Sequence, residues 1–171
     1  LTKKKNLINI PELNFVEKNN VIKISDLKFK NNDFQSLKKI EVKTLNNDFF
    51  IQWGKKIFIK GKKFDATNIP KFFSEQRNTK KFNHINNNIE IDFKNIKAPV
   101  SEELQNFRLI GKIKDGKFIK ISSKGDFGGD NYLDITMKKD QNSDKRYLEI
   151  YSDLTRPLLT EYNFFNGLSG G

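Results

Sequence analysis

At 171 residues with 36% hydrophobic side chains, the chain has the length of one domain but little core for a self-contained globule. Its 32 basic and 21 acidic residues leave a net charge of +11, which raises phosphates and anionic lipid as partners without choosing between them. The absence of cysteine excludes disulfides, thiolate nucleophiles and cysteine-based metal sites.

From the N-terminus, short runs alternate apolar side chains with Lys, Asn, Asp, Ser or Thr, a period of two that puts one set on each face of a strand. The reading places strands at 7–15, 21–29, 37–45, 49–53 and 56–62. The connectors 17–20, 31–33, 46–48 and Gly54 are short and rich in turn formers, so neighbours should pair antiparallel as a meander covering 1–66. Thr67, with Pro70 behind it, reads as the cap of a brief helix through Phe73, and 74–81 as a loop. A second meander spans 82–151. Alternation resumes at 84–95, and 98–106 reads as a turn or a single helical turn. Strands at 108–114 and 117–123 flank Asp115 and Gly116, a dipeptide suited to a two-residue hairpin loop. Gly125 to Phe127 extends the second of these or forms its bulge. Further strands fall at 131–138 and 145–151, with a turn at 140–144. Asp153 reads as the cap of a helix over 154–163, and the segment 152–171 closes on the start of another strand. Leu1 at the start and Gly170–Gly171 at the end suggest a piece of a longer polypeptide. The expected fold is mainly β: a curved antiparallel sheet with one or two short helices.

Side chains that carry chemistry elsewhere have plainer roles here. Asp65, Asp92, Asp126, Asp130, Asp134 and Asp153 sit at turns or on polar strand faces among Lys, Asn and Gly, which favours solvated carboxylates over an acid–base pair. His84 stands among asparagines with no second histidine or cysteine at ligand spacing, so no zinc site is expected. The cluster Gly125-Asp126-Phe127-Gly128-Gly129-Asp130 lacks the strand–loop–helix context and the following Lys-Ser/Thr of a phosphate cradle, and reads as a turn or bulge. Sixteen phenylalanines beside many cations raise base stacking. Against it, the arginines are only Arg77, Arg108, Arg146 and Arg156, and the lysines alternate with Ile and Phe as on a solvated strand face.

The run Leu109-Ile110-Gly111-Lys112-Ile113, then Asp115-Gly116, Gly125 to Asn131, Leu133, the strand ending in Ser152-Asp153, the Leu158-Leu159 pair and the closing Gly170-Gly171 resembles the AsmA-like family, in particular the YhdP-type proteins of the Gram-negative envelope. Ile59, Lys60, Gly61, Phe64, Asp65 and Ala66 ahead of 69–73 resemble an earlier strand-to-helix passage of the same module. The resemblance covers 57–171. It implies an open, U-shaped β-groove anchored in the inner membrane by a helix outside this stretch. It also implies a periplasmic location between inner and outer membrane, a part in outer-membrane biogenesis by moving phospholipid, no enzymatic activity and no cofactor.

A one-sided apolar sheet that curls leaves a groove, and covering a 16-carbon acyl chain at about 0.8 kcal/mol per methylene gains on the order of 12 kcal/mol before ordering costs. The expected lipid-facing residues are Leu109, Ile113, Ile119, Ile121, Leu133, Ile135, Met137, Leu148 and Ile150, with headgroups at the solvent-exposed mouth. The alternative is a structural or adhesive β-repeat whose apolar face is closed by its own chain. A basic nucleic-acid-binding β domain is the third and least favoured alternative.

Overall fold

The computed structural model describes residues 7–31, 33–68, 85–98, 103–143 and 145–154. Strands make up 78% of these residues, none is helical, and they form one open sheet that is not closed into a barrel. The strands are β1 (Leu7–Glu17), β2 (Asn20–Lys30), β3 (Asp33–Ser36), β4 (Lys39–Lys43), β5 (Asp48–Trp53), β6 (Lys56–Asp65), β7 (Asn87–Lys97), β8 (Glu103–Lys114), β9 (Lys117–Gly128), β10 (Asn131–Lys139) and β11 (Arg146–Ser152). Their spatial order is β1-β2-β4-β5-β6-β7-β8-β9-β10-β11, with β3 beside the end of β2. No helix of the described residues is long and apolar enough to cross a membrane.

Neighbours pair antiparallel within β1–β6 and within β7–β11, and one parallel pair, β6 with β7, joins the two sets. Residues 66–86 connect these two strands, a length that permits the crossover a parallel pair needs. Turn chemistry sets the hairpins. Asp115 and Gly116 both take positive φ, 50° and 71°, as a type I′ loop between β8 and β9 requires. Gly128, Gly129 and Asp130 have φ of 85°, 60° and 63°, and the Gly128 N–H donates to Asp126 Oδ1 at 2.6 Å. The glycine cluster is therefore the end of β9, through Gly128, and the turn at Gly129 and Asp130 that leads into β10.

Several expectations need correction. Residues 103–106 are strand, not turn: β8 begins at Glu103 and buries Leu104. Asp33–Ser36 is a separate short strand, which the reading of one long strand over 37–45 did not anticipate. Asp153 fastens the end of β11. Its carboxylate accepts the Tyr132 N–H at 2.7 Å and the Tyr151 hydroxyl at 2.9 Å, pinning the end of β11 to the start of β10. Thr67 donates its N–H and hydroxyl to Asp65 Oδ1, at 3.1 and 2.5 Å, in a turn that closes β6. The rest of the two expected helices, at 69–73 and 155–163, lies outside the described residues, as do His84, Arg77, Arg156, the Leu158-Leu159 pair and Gly170–Gly171.

The alternation is not a strict period of two. In β7 and β8 the inward side chains step by three, from Phe93 to Ile96 and from Leu104 to Phe107, and these pair as Phe93↔Phe107 and Ile96↔Leu104. Asn106, at φ 50°, takes up the extra residue. β6 makes the same step from Gly61 to Phe64, because Gly61 pairs with Phe93 and Phe64 with Ile96. Asp26, at φ 52°, shifts β2 likewise. Phe29 meets Phe34 edge-on at 6.5 Å and Phe34 meets Trp53 at 5.6 Å, which brings Phe29 to the Trp53 side of the sheet. Pro11, which has no N–H for the ladder, lies opposite Asp26 on the edge strand β1, between the paired positions Ile10↔Leu27 and Glu12↔Ser25. Bulges bend strands and strengthen their twist, and the sheet curves.

The core sits at the level of these steps. Phe93, Ile96, Leu104 and Leu133 form a buried cluster, with Phe49, Phe64 and Phe107 among the side chains packed on it. Phe64 stacks on Phe93 at 5.2 Å while Phe49 meets both rings edge-on, at 5.5 and 5.8 Å.

Candidate functional site

One apolar rung crosses the whole sheet at right angles to the strands. Leu13 pairs with Ile24, Ile24 with Ile40, Ile40 with Ile51, Ile51 with Ile59, Ile59 with Ile91 and Ile91 with Leu109. From Leu109 the rung continues through Ser123 and Ile135 to Ile150. At the usual strand spacing, ten strands carry it over about 43 Å. Ser123 is its single polar member, fully buried, with its hydroxyl 3.4 Å from the Ile135 carbonyl oxygen. A parallel rung runs Phe15, Ile22, Val42, Phe49, Gly61, Phe93, Phe107.

The predicted lipid-facing residues fall on and beside these rungs. Leu109, Ile135 and Ile150 belong to the long one. Ile121 pairs with Gly111, and Met137 with Leu148. Leu133 lies between Gly125 and Ser152. Ile113 pairs with Phe118, while Ile119 is the extra residue of a bulge and has no ladder partner on β8. Phe118 therefore holds the place expected of Ile119. Leu133 is buried, Leu109, Ile113, Ile119, Ile121, Ile135 and Met137 are half-buried, and Leu148 and Ile150 are about half exposed, at 50% and 46%.

The face is filled in the middle and bare towards its ends. Where the backbone carries glycine, a neighbour's side chain occupies the space. A Cβ at Gly61 would lie 2.8 Å from Phe93 Cε1, one at Gly111 would lie 3.1 Å from Phe118 Cε1, and one at Gly125 would lie 2.6 Å from Leu104 Cδ1. Ile57, Ile89, Phe93 and Leu104 are correspondingly buried. Towards the edges, Ile8 and Phe15 on β1 and Leu148 and Ile150 on β11 are exposed. The first meander supplies as much of the face as the second. Its members Ile40, Val42, Phe49, Ile51 and Trp53 sat on strands the alternation had marked. Leu104 was hidden by the step at Asn106.

The opposite face is charged. Its matching rung runs Lys23, Glu41, Phe50, Lys60, Asp92, Arg108, Lys124, Asp134, Tyr151. Lys60 lies 3.6 Å from Asp92 and 3.9 Å from Glu90, and Lys56 also bonds Glu90. That hydrogen bond from Lys56, followed by the charges of Lys56 and Lys60, holds the Glu90 carboxyl below the usual glutamate range. Lys39 does the same for Glu41, chiefly through its hydrogen bond. The Tyr132 N–H, and secondarily the Tyr151 hydroxyl, lower Asp153, while Asp153 raises the Tyr151 phenol. Lys56 and Lys39 also lie over the rings of Phe58 and Phe50, at 5.0 and 5.3 Å. Among the described residues no group of three or more His, Cys, Asp or Glu side chains is placed to hold a metal ion.

No protein-family model, curated protein or solved structure matches this chain.

Proposed function

We propose that this chain is a segment of a bridge-like lipid-transfer protein, in which acyl chains lie along the apolar rung and headgroups stay in water. The observation that carries the reading is the continuity of that rung from Leu13 to Ile150, with side chains left exposed towards both edges of the sheet. Its length of about 43 Å exceeds an extended 16-carbon chain, and neighbouring positions along it are nearly equivalent in chemistry. A chain can shift along such a surface with little net change in free energy. Lying against one face removes water from about half of each methylene, so the gain is roughly 6 kcal/mol rather than 12. The AsmA-like resemblance is consistent with this role, with acyl chains of phospholipid as cargo and a place in the periplasm between inner and outer membrane.

A second reading, a scaffold closed by its own side chains, is favoured by one observation: Phe93, Phe118 and Leu104 occupy the space over Gly61, Gly111 and Gly125. A photo-crosslinking amino acid at Leu148, compared with one at Phe93, separates the two in the protein purified from native membranes. The conduit predicts phospholipid adducts at Leu148 and few at Phe93. A lipid-free preparation with no adduct at either position would establish the scaffold.

A further inference from the structure

A depression of about 700 Å³ spans β2, β4, β5, β6 and β7. Five lysines line it: Lys23, Lys43, Lys60, Lys62 and Lys94. Lys62 and Lys94 come together for a topological reason. They lie between the paired positions Gly61↔Phe93 and Lys63↔Asn95 of the parallel ladder, so they face each other on adjacent strands. The three-residue step at this level keeps both on the charged side, away from Phe64 and Ile96.

Like charges directly opposite one another on neighbouring strands oppose sheet formation, and three carboxylates, Glu41, Asp48 and Asp92, line the same depression. Asp92 is paired with Lys60 and Glu41 with Lys39. Asp48 lies across the ladder from Lys43. Neither Lys62 nor Lys94 makes an ion pair among the described residues. An anion of high charge placed between them removes the repulsion.

We propose that this depression binds a phosphate-bearing anion, seated between Lys62 and Lys94 with Lys23 and Lys43 on the β2–β4 side. The ammonium groups are point charges without the fork of arginine, so the site ranks ligands by charge rather than shape. Pyrophosphate should bind better than either phosphate or sulfate. Lys62 and Lys94 are on the opposite side of the sheet from the apolar rung, so the inference stands whether or not acyl chains occupy that rung. The phosphate group can belong to a soluble ligand or to an anionic lipid headgroup.

The test uses the full chain at low salt, with the lysine side-chain NMR signals followed during addition of sodium pyrophosphate. In parallel, flotation is measured with vesicles of phosphatidylglycerol and of phosphatidylcholine. Pyrophosphate should shift the Lys62 and Lys94 signals, and Lys62→Gln with Lys94→Gln should weaken binding about tenfold. Lys117→Gln, at the β8–β9 hairpin, should leave it unchanged. A pyrophosphate shift without vesicle binding identifies a soluble ligand. Flotation on phosphatidylglycerol alone that is lost in the double variant identifies a headgroup. The urea midpoint of the double variant at low salt should equal or exceed that of the parent, because the repulsion is gone. The proposal is overturned if pyrophosphate leaves the Lys62 and Lys94 signals unmoved and phosphatidylglycerol vesicles do not float the chain, if the double variant binds as the parent does, or if the double variant is less stable at low salt.

Discussion

Phe93 covers Gly61 on the neighbouring strand: a Cβ at Gly61 would lie 2.8 Å from Phe93 Cε1 and 2.5 Å from the carbonyl oxygen of Asp48. The second contact is with backbone, which gives way less easily than a side chain. Gly61→Ala should therefore cost about 1–3 kcal/mol, the range for overpacking a filled site. Gly125→Ala meets only the end of Leu104 and should cost less, while Gly54→Ala meets nothing within 4 Å and should be neutral. Urea denaturation midpoints of the three variants check the order.

Leu133 and Ile150 lie on the same apolar face, one 5% and the other 46% exposed. Truncating Leu133 to alanine should remove about 3 kcal/mol, as for other buried leucines. Ile150→Ala should change stability by no more than about 1 kcal/mol. If both variants unfold at the same urea concentration, the division into a filled middle and bare ends is wrong.

Period-two patterning exposed the strands where the chain obeys it. Leu133, Ile135 and Met137 alternate with Asp134 and Thr136, and β10 forms where that pattern placed it. The hairpin at Asp115-Gly116 was equally plain, because both residues tolerate the positive φ that the loop needs. Leu104 was misjudged because Asn106 inserts one residue into the alternation, and a three-residue step resembles the end of a strand. The parallel weld of β6 to β7 is a long-range property, set by which strands meet after the 66–86 connection and not by local spacing. For the site, the greasy face was legible, but its filling by Phe93, Phe118 and Leu104 depends on which neighbours oppose Gly61, Gly111 and Gly125. The lysine-lined depression was illegible for the same reason, since Lys62 and Lys94 are neighbours only through that parallel pairing.

Asp153 holds the last strand through the Tyr132 N–H and the Tyr151 hydroxyl. Asp153→Ala should return the Tyr151 phenol from its raised value towards the ordinary one, measurable by ultraviolet difference titration. The Asp153 carboxyl is lowered from the ordinary aspartate value of 3.8, so it stabilises the folded state above that pH. That contribution is lost as the pH falls below 3.8 through the folded value. Acid titration of the parent should show β11 loosening in this window, and the alanine variant should lack the transition.

Glu90 takes Lys56 and Lys60 as partners on the charged face. Glu90→Gln leaves both ammonium groups with less compensation, and the variant should be less stable than the parent at low ionic strength. Salt screens such half-exposed pairs, so the difference should shrink as sodium chloride is added. A gap that stays constant with salt would assign the effect to packing against Phe58 and Ile110 instead.

Strands β1 and β11 form the two rims of an unclosed sheet, and among the described residues neither has a neighbour on its outer side. A barrel has its circumference dictated by closure, whereas this architecture has no fixed span. Adding or deleting one hairpin lengthens or shortens the greasy strip by about 10 Å and leaves its cross-section as it was. Reach and cross-section are thus separately adjustable quantities here, the first counted in hairpins and the second set by which side chains lean over Gly61, Gly111 and Gly125.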